Sequence, residues 1–213
     1  PQSLRMSGEQ KYKEGDGPFL QWEGTNRDEL LVFTDRQQCY KSRLSDFPDT
    51  KASVLGEYLP TRLSMEQGET VVWACITSDY SGNVLFCFQN GKVARVELAA
   101  YKTQTRRKRL TGAYSDKSPL AAALLIQEDR ELAMISSEGR CLIFHSSLLA
   151  PKSTRSTQGV AVMTLKPKYH VERLLPVEET AVVDQKRYRP KALPAAGALL
   201  RGEDRGEQQL SML

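Results

Sequence analysis

Three observations predict an all-β fold built from repeated four-stranded modules. Segments 29–56, 83–112 and 130–159 share one plan: an apolar run of strand length, a tight polar turn, a second strand, and a long polar stretch ending in glycine. The turns carry hairpin chemistry, most clearly at Asn90-Gly91, where Asn-Gly readily takes positive φ angles. Further apolar runs at 71–76, 121–126 and 160–165 supply more strands.

In chain order, Phe19-Leu20-Gln21-Trp22 precedes the first module and could close or cap the array. In the modules themselves, Gln37, Gly91 and Gly139 align at one turn position. Cys39, Val93 and Cys141 follow two residues later, and Phe47, Tyr101 and Leu149 eight residues beyond those. A position filled by cysteine in two copies and valine in the third is a small buried strand side chain. The apolar run Val71–Ile76 reads as a strand covered on both sides. In Ala94-Arg95-Val96-Glu97-Leu98 apolar and polar residues alternate, giving one buried and one wet face. One module cannot bury its own apolar face, so neighbours must share a core. The expected architecture is a propeller-like array of three clear blades, with Pro176-Val177 available for a partial or fourth one. The domain division is a lead-in at 1–18, the repeats at 19–178, then a strap to about Leu200 and a mobile tail within 179–213. Proline and glycine punctuate that last stretch.

Composition narrows the function classes. In 213 residues there is no apolar run approaching the roughly 18 needed to cross a bilayer, and the opening residues lack a signal-peptide core. The chain reads as cytoplasmic and, since it opens on Pro1, as a piece of a longer polypeptide. Four cysteines form no CxxC pair, and His145 and His170 are the two histidines, so neither metal nor cofactor is expected. There is no GxxxxGK[ST], GxSxG or HExxH motif. Glu128-Asp129 and Glu178-Glu179 read as solvated turn residues, and Trp22, Trp73 and most tyrosines as strand aromatics packing between blades. Arg187-Tyr188-Arg189 lacks the acidic cluster that would hold catalytic magnesium.

The segments LLVFTDRQQCYKSRLSDFPD (30–49), VLFCFQNGKVARVELAAY (84–101) and LAMISSEGRCLIF (132–144), with the strap APKSTRSTQG (150–159), carry a family likeness. They resemble the blade repeat in the C-terminal domains of bacterial DNA gyrase and topoisomerase IV A subunits, over roughly residues 19–178. Tyr188-Arg189-Pro190 with LPAAGALL is similar to the ending of some of these domains. The resemblance implies a β-pinwheel, a disc whose basic rim binds and bends duplex DNA. It also implies a nucleoid-associated accessory domain, with strand cleavage in a separate catalytic core of the same polypeptide and ATP hydrolysis in a separate B-type partner. The basic, double-glycine box of gyrase wrapping domains is absent, and three repeats stand where gyrase has six blades. The resemblance is therefore nearer to topoisomerase IV.

Charge gives an independent test, because phosphate neutralisation needs clustered Lys and Arg. Net charge is +4, yet the window Tyr101–Gly112 alone holds Lys102, Arg106, Arg107, Lys108 and Arg109 without an acid, leaving the remainder one negative. Equivalent straps add Lys51, Lys152 and Arg155, and the hairpins add Arg36, Lys92 and Arg140. These eleven residues are the candidate DNA contacts, forming a rim if the straps line up. With no helix or ribbon evident for the major groove, selectivity would come from DNA bendability. Two other readings stay open: a scaffold whose basic loop docks an acidic protein partner, and an enzyme using a propeller's central channel.

Overall fold

The computed structural model describes residues 21–50, 54–104 and 107–206. In chain order the elements are β1 (Glu29–Thr34), β2 (Cys39–Arg43), α1 (Leu59–Arg62), β3 (Val71–Thr77), β4 (Asn83–Phe88), β5 (Lys92–Glu97) and β6 (Arg109–Leu110). They continue with β7 (Leu120–Ile126), β8 (Glu131–Ser136), β9 (Arg140–His145), β10 (Val160–Ala161), β11 (Val171–Pro176), α2 (Gln185–Tyr188) and β12 (Ala198–Leu199). Two compact units result: the first holds β1, β2, α1, β3 and β6, the second everything else.

The described strands form three four-stranded antiparallel sheets, ordered β3-β1-β2-β6, β10-β5-β4-β7 and β11-β8-β9-β12. Each follows the same rule. A hairpin lies at the centre, a long strand pairs with its first arm, and a two-residue strand from further along the chain pairs with its second arm. The sequence treats each repeat as self-contained, but the chain interlocks them: each sheet is closed by the segment that follows the next hairpin, or, for the third, by the end segment. Two-residue strands carry too little periodicity to be read in advance.

The aligned turn position holds. Gln37, Gly91 and Gly139 all have positive φ, at 54°, 87° and 79°. At Gly91 and Gly159 glycine is required by space as well as by φ. A Cβ on Gly91 would sit 2.0 Å from the Met163 carbonyl oxygen, and one on Gly159 2.3 Å from that of Val93. Both are places where the strap after the third hairpin presses on the second sheet.

In the second unit the strand period of two sends alternate side chains to opposite faces. Leu85, Cys87 and Val93 from the second sheet meet Leu132, Met134, Leu142 and Phe144 from the third in one buried cluster. The other face of the third sheet, with Ala133, Ile135, Cys141 and Ile143, is covered by Val177, Val182, Tyr188 and Leu200. Stacked sheets thus share a core, as the repeat argument requires.

Several expectations are adjusted. Of 160–165, Val160–Ala161 alone is strand; Val162 and Met163 donate to the Gly91 carbonyl instead. Gln21 and Trp22 lie outside any strand, and Phe19 and Leu20 outside the described residues. Val71–Thr77 alternates between half-buried and buried positions where burial on both faces was expected: the pleat sends successive side chains to opposite faces, and one of the two is only partly covered. Pro176 ends a full strand, β11, disguised in sequence by the charged Glu172 and Arg173. Past Leu200 the chain is held as far as Gly206: Asp204 is buried, accepting from the Tyr188 hydroxyl and the Val183 amide.

Candidate nucleic-acid interface

Around the first sheet, cations collect where β6 joins β2. Tyr40 pairs with Arg109 and the Lys41 amide donates to the Lys108 carbonyl, so the last residues of the basic run lie along the β2 edge. The 58–70 segment folds back onto the same edge through Glu69, which is buried and accepts from the hydroxyls of Thr34 and Tyr40 and from the Glu66 amide. This places Glu66 between two arginines, with Arg36 Nη1 at 3.1 Å and Arg109 Nη1 at 2.9 Å. Arg36 foremost holds the Glu66 carboxyl below the usual range. Arg107 and Lys108 are exposed and form no ion pair among the described residues.

In the second unit the strap after the third hairpin runs along β5. The Lys152 amide donates to the Arg95 carbonyl and the Glu97 amide to the Lys152 carbonyl. Arg155 Nη1 donates to the Ala100 carbonyl at 3.1 Å, two residues before Lys102. Lys102 and Lys152 are exposed without ion pairs among the described residues, so Lys102, Lys152 and Arg155 share one end of the second sheet. Lys92 begins β5 at its other end, about 17 Å away for five extended residues, and is not brought to them. Arg140 is committed elsewhere, to Glu138 Oε2 at 2.9 Å and the Gly197 carbonyl at 3.0 Å. Lys51 and Arg106 lie outside the described residues.

Of the eleven candidates, Arg36, Arg109 and Arg140 are thus ion-paired and Arg155 is anchored on backbone. Lys102, Arg107, Lys108 and Lys152 keep exposed charges. Sequence reasoning passed over Lys41 and Arg62, which approach Lys108 and Arg109 in space. Lys41 stands alone within a strand and Arg62 in a stretch without repeat counterpart, so no local pattern marks them.

The groups considered for chemistry are otherwise engaged. Burial pushes the thiols of Cys75 and Cys141 up to about 12 and raises that of Cys87 as well, so they are poor nucleophiles. Asp129, expected to be a solvated turn residue, accepts from the Ser146 hydroxyl and from Arg95, and both interactions lower its pKa. Tyr188 is buried, its hydroxyl bound to Asp204. Trp73 packs on Phe33 within the first sheet, and Trp22 meets it edge-on while remaining partly exposed. Among the described residues no group of three or more His, Cys, Asp or Glu could hold a metal ion, and no helix is long and apolar enough to cross a membrane.

These interlocked four-stranded blades are of the propeller type. The family model described as the DNA gyrase C-terminal domain, beta-propeller, matches residues 28–53 and 130–178. The A subunit of DNA topoisomerase 4 from Staphylococcus aureus is 23% identical over 157 residues, covering 72% of this chain and 20% of that protein. The crystal structure of the C-terminal domain of DNA topoisomerase IV superposes with a TM-score of 0.63 at 26% identity, covering 71% of this chain and 48% of that one. The E. coli ParC C-terminal domain superposes at 0.62 and 17%, covering 84% and 79%. The chain is related to the β-pinwheel C-terminal domains of gyrase and topoisomerase IV A subunits. It spans about a fifth of the length of the Staphylococcus proteins.

Proposed function

We propose that this chain is a DNA-binding accessory domain of the A subunit in a type IIA topoisomerase, holding and bending duplex DNA through its phosphates without reading bases. The observation that carries the reading is the acid-free run from Tyr101 to Gly112. Its described members Lys102, Arg107 and Lys108 keep exposed charges that no carboxylate of the described residues offsets, and Lys152 joins Lys102 at one end of the second sheet. Duplex DNA is lined with phosphates, and releasing their condensed counterions is the main drive for such contacts. Both described α-helices are four residues long, too short to enter a major groove and read base edges. Family relationship supports the same reading. On it, strand cleavage lies in the catalytic core of the same polypeptide and ATP hydrolysis in a B-type partner, with this domain keeping a bent segment near the gate. A cytoplasmic, nucleoid-associated location follows.

The test is duplex binding by the 213-residue chain across 50–200 mM salt, with unrelated sequences compared. Binding should weaken steeply with salt and vary little with sequence. A Lys102→Gln/Arg106→Gln/Arg107→Gln/Lys108→Gln variant should lose about 3 to 4 from the slope of log K against log salt, at 0.9 per phosphate contact. Unchanged binding by that variant would defeat the assignment.

A further inference from the structure

The first unit contains a groove of about 580 Å³ lined by Tyr40, Lys41, Ser42, Asp46, Arg62, Leu63, Ser64, Lys108 and Arg109. Its walls carry four cations, of which Arg109 is paired with Glu66 and Lys41 approaches Glu29, while Arg62 and Lys108 form no ion pair among the described residues. Asp46 is turned towards the Arg43 amide at 3.4 Å, and Glu66 divides itself between Arg109 and Arg36. Lys41 Nζ stands 3.9 Å from Glu29 with its side chain 10% exposed, and burial lowers its pKa. Arg62 lies over the Phe47 ring, 5.4 Å from its centre, and forms no ion pair among the described residues. Lys108 is exposed and equally without one. The Ser64 hydroxyl has no partner among the described residues. Like charges gathered at a concave site repel one another, and the repulsion is relieved when an anion enters.

We propose that this groove is a phosphate pocket, in which Arg62, Lys108 and Lys41 together hold one backbone phosphodiester of a bound duplex. A planar guanidinium can give two parallel N–H bonds to phosphate oxygens, while the two ammonium groups act as point charges beside it. Duplex DNA is favoured over an acidic peptide because Lys108 and Arg109 belong at once to the groove and to the acid-free run on which the DNA-binding reading rests. The inference rests on the DNA-binding reading but adds a discrete site, with two residues outside the basic run.

Arg62→Gln, Arg62→Lys and Lys108→Gln variants of the whole chain test it, with thermal midpoints confirming that each folds. Lys108→Gln, outside the 58–70 segment, keeps the test open should that segment fail to hold in Arg62→Gln. Expected is a loss of about 1 from the salt slope of duplex binding in each glutamine variant, one phosphate contact apiece, with the slope kept in Arg62→Lys. Pyrophosphate and a polyglutamate peptide are titrated in parallel. If wild type binds no duplex, the functional reading fails first. If wild type binds and both glutamine variants keep its slope, the pocket fails while the reading survives. Loss of pyrophosphate or polyglutamate binding with duplex binding intact would mark a free-anion or acidic-peptide site and overturn the proposal.

Discussion

In the second unit Arg95, Arg140 and Arg155 turn toward the backbone, whereas in the first Arg36, Arg62 and Arg107 stand at the surface. Arg95 Nη1 reaches Asp129 at 2.7 Å and the carbonyls of Ser146 and Leu149 at 3.1 and 3.3 Å, with its side chain 11% exposed. Arg155 and Arg140 likewise donate to backbone carbonyls, fixing straps against strands. In the first unit Arg36 and Arg109 share one carboxylate, while Arg62, Arg107 and Lys108 are exposed without ion pairs among the described residues. The same residue type therefore does two jobs, and what decides between them is whether the surrounding backbone leaves carbonyls in reach. Interlocked sheets bring a strap's free carbonyls against the neighbouring blade, and arginine satisfies them. Where cations crowd a groove instead, the unmet demand is for an anion.

That contrast can be broken first at the second unit's apolar core. Leu132 is fully buried between the second and third sheets. Leu132→Ala should cost about 2–5 kcal/mol, lost transfer energy plus cavity, read as a lower urea midpoint. An effect below about 1 kcal/mol, the scale of a tolerated swap, would mean that the two sheets do not share this core.

Next in size is Arg95→Met, which keeps most of the aliphatic stem but removes the guanidinium bonds to Asp129 and to the Ser146 and Leu149 carbonyls. The expected loss is about 1–3 kcal/mol, again by urea unfolding, with the salt slope of duplex binding unchanged. Arg62→Gln should do the reverse, moving the slope and sparing the midpoint. If Arg95→Met changed the slope and not the midpoint, the division of labour between the units would be mistaken.

How far this was legible beforehand depends on the length scale of each signal. The hairpins were readable because period-two alternation and the turn position at 37, 91 and 139 are local, and the positive φ at all three is what the alignment demanded. Cys39 and Cys141 were placed correctly as buried strand thiols for the same reason. Exchange of two-residue strands between repeats was not readable, since β6, β10 and β12 are defined by their partners and not by pattern. The basic run was visible as composition, but the pairing of Arg36 and Arg109 through Glu66 depends on a loop closure across about thirty to forty residues that charge counting cannot foresee. Arg62 and Lys41 became site candidates through that same closure. At the C-terminal end, proline and glycine correctly signalled irregular chain, yet irregular backbone is still fixed when its polar groups find buried partners.

That last point yields the smallest of the expected effects. The end segment covers the outer face of the third sheet and is tied down by Tyr188, whose hydroxyl donates to Asp204 and accepts from the Arg201 amide. Tyr188→Phe keeps the ring and removes both bonds, so it should cost about 1 kcal/mol near neutral pH. The Tyr188 hydrogen bond is the leading cause of a depressed Asp204 pKa. A carboxylate held below its ordinary value of 3.8 contributes its stabilisation fully above that pH and loses it as pH falls through the folded value. Wild type and Tyr188→Phe should therefore differ most at pH 6–7 and converge as the pH is taken below about 3.8. Urea midpoints measured from pH 3 to pH 7 decide this: a gap that stays constant or widens on acidification would show that the ionised Asp204 is not what the tyrosine holds in place.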